Sequence, residues 1–108
     1  MNKAFLSDGL VFRLRAMASQ RASIRMMIQE IRNDLGTDDG LAFVVGRYFK
    51  EAFFLGVGDV RHVAGCKWLG GMAYDENQID ELMLPLIAST RNKWEQEVKK
   101  EATDEESA

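Results

Sequence analysis

The sequence predicts an all-α protein, a small bundle of about four helices. Apolar residues recur at alternating steps of four and three along the amino-terminal third, which places them on one face of a helix. Glycine-rich segments then separate further stretches with the same spacing. With 108 residues, 46% of them hydrophobic, the chain has the size and apolar content of one core. We therefore predict a single helical domain over residues 1–100.

The first predicted helix is long and amphipathic and covers residues 8–34. Ser7 or Asp8 can cap its first turn, and Gly36 can end it in the left-handed conformation. A seam of this length offers more apolar surface than three neighbouring helices cover, so we predict homodimerisation through this helix. Arg21, the one polar residue in the seam, is a candidate for fixing the register of such a contact. The apolar members of the seam are Leu10, Leu14, Met17, Ile24, Ile28, Ile31 and Leu35.

The second predicted helix covers residues 39–55. Its apolar residues are spread round most of the helix circumference, and Phe43, Phe49 and Phe53 are among them. A helix tolerates this in water only when neighbouring elements cover it. We therefore expect the second helix to be the central element of the core.

Residues 56–74 form the least regular segment. Glycines 56 and 58 end the second helix, and a short third helix is predicted over residues 60–69. The valines at positions 57, 60 and 63, between two glycine turns, also fit a short hairpin. Both structures remain open for this segment.

The last predicted helix begins at a capping box. Asp75 with Gln78 three residues later has the pattern of such a box, and apolar residues at helical spacing follow. Pro85 lacks an amide hydrogen, so we expect a kink or a new helical segment there. Residues 101–108 are acidic and poor in apolar side chains, which predicts a disordered tail.

Charge is distributed unevenly along the chain. The net charge is −3, but residues 1–33 hold six basic and two acidic side chains, whereas residues 75–108 hold four basic and ten acidic ones. Ends of opposite sign favour antiparallel packing within the chain, or a partner that binds one end.

The expected location is cytoplasmic. No signal peptide is recognised after Lys3, and no apolar run approaches the ~18 residues that span a bilayer. The single cysteine, Cys66, cannot form a disulfide within the chain, which fits a reducing compartment. We expect no membrane contact.

A first candidate interaction site consists of Trp68, Met72 and Tyr74, which surround two glycines. Aromatic residues and methionine are enriched in the cores of protein interfaces. This patch, or the face of the first helix with Arg21, predicts binding to a protein partner, whose identity the sequence does not reveal.

A second candidate is a segment that partly resembles a helix-turn-helix motif, residues 52–69. A following helix with Arg61, His62 and Lys67 could contact DNA bases or phosphates. The acidic sequence pI of about 5.1 opposes a strong electrostatic contribution to such binding. A DNA-binding regulator is therefore the alternative function.

A third candidate is a metal or thiol site, because Asp59, His62 and Cys66 share one face if they lie on a helix. One histidine and one cysteine are too few for a structural zinc site, so we predict neither metal nor other cofactor.

No nucleophile with its base and no phosphate-binding loop is recognised. We therefore expect a small non-enzymatic interaction or regulatory module, of the adaptor or inhibitor type.

Overall fold

Six α-helices and a short 3₁₀ helix make up the described part of a computed structural model of the chain, which covers residues 6–69 and 71–107. The side chains of Trp68 and of residues 100–107 lie outside this description. No strand occurs among the described residues, so the all-α prediction is confirmed. The helices are α1 (Asp8–Ser19), α2 (Ile24–Leu35), α3 (Leu41–Phe53), α4 (Val57–Ala64), the 3₁₀ helix (Lys67–Leu69), α5 (Glu76–Ser89) and α6 (Arg91–Ser107).

The single long helix predicted over residues 8–34 is wrong, since α1 and α2 are separate helices. Arg21 adopts a left-handed φ of 65°, which ends the helical path. Ser23 then begins α2, because its side chain accepts a hydrogen bond from the Met26 amide. The amide of Ile24 also donates to Asp80 of α5 at 2.9 Å. The apolar spacing continues across the break because both helices turn their apolar faces to the same core.

The apolar seam of α1 and α2 is covered within one chain. Leu10, Leu14, Ile24 and Ile31 are fully buried in the core. The surplus of apolar surface from which we predicted a dimer through the first helix is therefore not present in the described residues.

Helix α3 is the central element, as predicted. It buries Val45, Tyr48, Phe49 and Phe53 on its inner faces. The Phe49 and Phe53 rings meet edge to face at 5.7 Å, and Phe53 meets Trp94 of α6 in the same way at 5.6 Å. These aromatic contacts join α3 to the carboxy-terminal helix.

Helix α5 begins at the predicted capping box, in which Asp75 and Gln78 bond to each other's backbone amides. The kink or break predicted at Pro85 is not confirmed, because Pro85 lies inside α5 and is exposed. The helix ends one turn later at Thr90, whose hydroxyl donates to the Phe53 carbonyl oxygen at 2.6 Å. A proline on a solvent-facing side interrupts only one backbone hydrogen bond, so the helix continues through it.

The backbone of α6 is helical as far as Ser107. The predicted disorder of residues 101–108 stays a prediction, because their side chains lie outside the described residues. Within the described residues, no helix has the length and apolar character needed to cross a membrane.

The described residues within 56–74 form α4, the 3₁₀ helix and a loop, so the helical prediction for this segment is closer than the hairpin. The loop pairs with the residues that follow α4 through a β-bridge between Cys66 and Tyr74. The Tyr74 amide donates to the Gly65 carbonyl oxygen, and the Lys67 amide donates to that of Tyr74, both at 2.9 Å. A Cβ atom on Gly71 would collide with the backbone of Ala64 and Gly65, so this close approach requires glycine.

One ion pair among the described residues, between α2 and α5, joins a basic side chain from residues 1–33 to an acidic side chain from residues 75–108. Arg25 and Glu76 approach to 3.0 Å. Both side chains are largely exposed, so this pair contributes little to stability.

Candidate functional site

The predicted patch of Trp68, Met72 and Tyr74 is only partly exposed. Met72 is 90% exposed, whereas Tyr74 is partly buried, with its ring edge to face with His62 at 5.9 Å. Trp68 lies in the 3₁₀ helix, and its side chain lies outside the described residues. Among the described side chains, this patch therefore offers a partner mainly the side chain of Met72.

The residues predicted to contact DNA do not share one helix. Arg61 is exposed on α4, and His62 is partly buried beside Tyr74. Lys67 is exposed but lies in the 3₁₀ helix, beyond the end of α4. A recognition helix presents its contact residues from one continuous face, and α4, with eight residues, does not extend to Lys67.

The residues considered for a metal or thiol site have separate roles. The Asp59 carboxylate accepts a hydrogen bond from the Gly56 amide at 3.1 Å and so caps its own helix. Cys66 is fully buried. Within the described residues, no group of three or more histidine, cysteine or carboxylate side chains could hold a metal ion.

Arg21 is exposed at the turn between α1 and α2. It lines a shallow pocket of about 230 Å³ together with Arg91 and the edge of Trp94. The side chain does not lie on the continuous first helix that was expected, and its predicted role in fixing the register of a helical dimer stays a prediction.

A larger concave surface than the pocket at Arg21 lies elsewhere among the described residues, between α3, α4 and the first turn of α6. We call it the basic groove, and it has a volume of about 840 Å³. Five large apolar side chains are exposed in the described part of the chain, and Phe43, Phe54 and Val57 of this groove are three of them. The groove is lined by Leu6, Phe43, Gly46, Arg47, Lys50, Glu51, Phe54, Leu55, Val57, Val60, Arg61 and Lys93.

The groove is positively charged although the whole chain is acidic. Four basic side chains line it, and Glu51 is the one acidic residue among the described lining residues. Lys50, Arg61 and Lys93 are exposed, and their side chains form no ion pair with another described residue. These three charges are therefore available to a bound molecule.

One face of α3 builds the floor and rim of the groove. Phe43, Arg47 and Lys50 follow one another at steps of four and three residues, which aligns them on one side of α3, and Phe54 comes directly after the last residue of the helix. The Arg47 guanidinium lies over the Phe43 ring, 5.7 Å from its centre. Two cationic side chains thus lie between two aromatic ones along this segment.

The carboxyl end of α3 holds Phe54 at the groove. Phe54 has a left-handed φ of 55°, and its amide donates to the Lys50 carbonyl oxygen. Arg15 of α1 donates from Nε to the Ala52 carbonyl oxygen at 2.8 Å, and its guanidinium lies 5.5 Å from the centre of the Phe54 ring. Arg15 therefore caps α3 and supports one face of the exposed ring.

The patterns in the sequence did not lead us to predict this groove. Phe43 was assigned to the covered surface of the central helix, but it is 68% exposed. The spacing that joins Phe43, Arg47, Lys50 and Phe54 was visible in the sequence, and a mixed aromatic and basic face is a signal for binding rather than for core packing.

Comparison with models of protein families, with curated proteins and with solved structures finds no match to this chain. Its function is therefore argued from the geometry and charge of its own residues.

Proposed function

We propose that this chain is a non-enzymatic protein interaction module, of the adaptor or inhibitor type, and that its partner binds in the basic groove. The observation that carries the proposal is the clustering of Phe43, Phe54 and Val57, three exposed apolar side chains, in one concave surface. Exposed apolar patches with a polar rim mark interaction sites on soluble proteins.

The composition of the groove supports a protein partner. Phenylalanine and arginine are enriched in interface cores, and here Arg47 and Phe43 are in contact. Each ring is held before binding, because Arg47 lies over Phe43 and Arg15 over Phe54. Side chains that are already ordered lose less conformational entropy on binding.

A DNA-binding regulator remains the second candidate, supported by the exposed basic side chains of Arg61 and Lys67. The two candidates differ at Lys67, which lies outside the basic groove. Mobility shifts with mixed-sequence DNA at low salt, lost on Lys67→Glu and unaffected by Lys50→Glu, would favour DNA. We also propose that the protein acts in the cytoplasm.

Affinity capture from the cells that make the protein tests the principal proposal. The variant Phe43→Ala with Val57→Ala removes two exposed side chains of the groove, so the fold should be retained. We expect wild-type protein to enrich a defined protein that this variant does not enrich. The purified captured protein should then bind the wild type directly and the variant at least about tenfold more weakly.

Two matched controls use exposed methionines outside the groove. Met26→Ala changes α2, and Met72→Ala changes the patch predicted from the sequence. Both should retain the captured protein. Equal capture by all variants, or loss only with Met72→Ala, would overturn the assignment to the groove.

A further inference from the structure

We infer that the occupant of the basic groove is an acidic amphipathic helix of a partner protein. This inference rests on the proposed function and names the chemistry of the partner.

Charge complementarity is the first argument. Lys50, Arg61 and Lys93 stand exposed at the groove without ion-pair partners among the described residues. They come from three different helices, so their charges surround the groove rather than follow one edge. Carboxylates on a bound segment would satisfy them, and a basic segment would be repelled.

The apolar side chains supply the second argument. Phe43 of α3 and Phe54, which directly follows α3, lie eleven residues apart, so about three helical turns or ~16 Å separate their positions along the helix. Val57 of α4 lies on the same groove. A helix that binds in a groove uses apolar anchors at positions i, i+3 or i+4, and i+7, which span ~10 Å and so fit within this length.

The lining favours a peptide over nucleic acid. Bases bind single-strand proteins by stacking on open aromatic faces, and here Arg47 lies over one face of Phe43 and Arg15 over one face of Phe54, so at most one face of each ring is open to a base. Much of the remaining apolar lining is aliphatic and cannot stack on bases; it includes Leu6, Leu55, Val57 and Val60.

The shape favours a peptide over a membrane. Proteins that bind a lipid surface insert apolar side chains from a protruding face. Here the apolar side chains line a concavity of about 840 Å³, which a flat bilayer cannot fill.

The chain's own acidic end does not supply such a ligand. Residues 101–108 contain four acidic side chains, but alanine is their only apolar residue type. They therefore lack the large anchors that the apolar part of the groove requires.

Fluorescence anisotropy with defined peptides tests this inference. The probe is a labelled helical peptide of about 16 residues, roughly four turns, with leucines at positions i, i+4 and i+7 and glutamates on its remaining face. Two matched peptides carry glutamine or lysine in place of every glutamate. We expect the acidic peptide to bind at least about tenfold more tightly than the glutamine peptide, and the lysine peptide not to bind.

Protein variants locate the binding. Lys50→Glu with Arg61→Glu should weaken binding of the acidic peptide at least about tenfold. Neither side chain has an ion-pair partner among the described residues, so the substitutions should not disturb folding. Lys67→Glu changes the net charge in the same direction outside the groove and should bind nearly as the wild type does. Circular dichroism confirms that each variant is folded.

Two further probes test the competing occupants. Labelled single-stranded DNA and anionic phospholipid vesicles should bind more weakly than the acidic peptide at the same salt concentration. Stronger binding of either probe, or equal binding of the acidic and glutamine peptides, would overturn the inference. If binding of the captured protein still requires Phe43 and Val57 but the acidic peptide does not bind, only the inferred chemistry of the partner is wrong. If neither the captured protein nor the peptide depends on the groove for binding, the proposed function is wrong as well.

Discussion

Phe53 and Phe54 are neighbours in the chain, but they have opposite environments. Phe53 is fully buried, with Phe49 and Trp94 against its ring. Phe54 is 44% exposed and occupies a left-handed backbone conformation, which glycine would adopt without strain. An aromatic residue at such a position stabilises the fold little, so its presence agrees with a role in binding.

The two phenylalanines should therefore respond differently to substitution. We expect Phe54→Gly to change the free energy of unfolding by less than about 1 kcal/mol, because relief of the left-handed strain offsets the loss of partial burial. Phe53→Ala should cost about 3–5 kcal/mol through the cavity it leaves. Urea unfolding measures both values. A cost for Phe54→Gly as large as that for Phe53→Ala would show that Phe54 is a core residue.

Arg21 is the other non-glycine residue with a left-handed φ in the described part of the chain. Its side chain is exposed, so Arg21→Gly should stabilise the fold by roughly 0.5–1 kcal/mol. Gln20→Gly is the matched control, because Gln20 has an ordinary φ of −95° and should lose stability. Thermal unfolding compares the two variants, and a loss of stability in Arg21→Gly would contradict this interpretation of the turn.

At the scale of elements, the segment after α4 depends on glycines that permit close packing. A Cβ atom on Gly65 would lie 2.9 Å from the Tyr74 ring, and one on Gly71 would meet backbone atoms that cannot move independently. In contrast, nothing lies within 4 Å of a Cβ atom on Gly58 in α4.

Alanine substitutions test this difference. Gly71→Ala should destabilise the fold by roughly 2 kcal/mol, since overpacking costs about 1–3 kcal/mol. Gly58→Ala should be neutral or stabilising by up to about 1 kcal/mol, because alanine favours the helix. Chemical denaturation measures both free energies. Equal effects of the two substitutions would show that the loop does not pack against α4 as described.

Local signals predicted α3 and the start of α5, because apolar spacing and the Asp75 capping box act within a few residues. The break between α1 and α2 was not predictable from spacing, because the apolar seam continues in phase across it. Arginine is also not a residue type that marks a left-handed turn. At Pro85 the local signal predicted a kink or a new segment, which is not confirmed, since Pro85 lies inside a continuing α5.

At the scale of the whole molecule, the core and the groove are two sides of the same central helix. Buried Tyr48, Phe49 and Phe53 face the other helices, whereas Phe43 and Phe54 face the groove. The sequence shows an apolar α3, but which of its faces remains uncovered depends on where α4 and α6 lie. That arrangement is tertiary, so the groove required the structure.

The effect of the charge pattern on binding also depends on the arrangement of the whole molecule. The acidic total would oppose binding to any polyanion at long range, yet the basic residues of three helices converge on one surface. In the function we propose, the local charge of this surface selects the partner. Its binding should weaken as salt rises above about 0.1 M, where charges further apart than ~10 Å are screened.

Site-directed photocrosslinking tests most directly whether the basic groove is the surface that a partner protein occupies. A photoreactive phenylalanine analogue replaces Phe43 in the groove or, as the control, Met26 on α2, and both positions are exposed. We predict that irradiation of cells joins the Phe43 position to one discrete partner protein and the Met26 position to none. Crosslinks of equal yield from both positions, or from Met26 alone, would contradict the assignment of the groove as the binding surface.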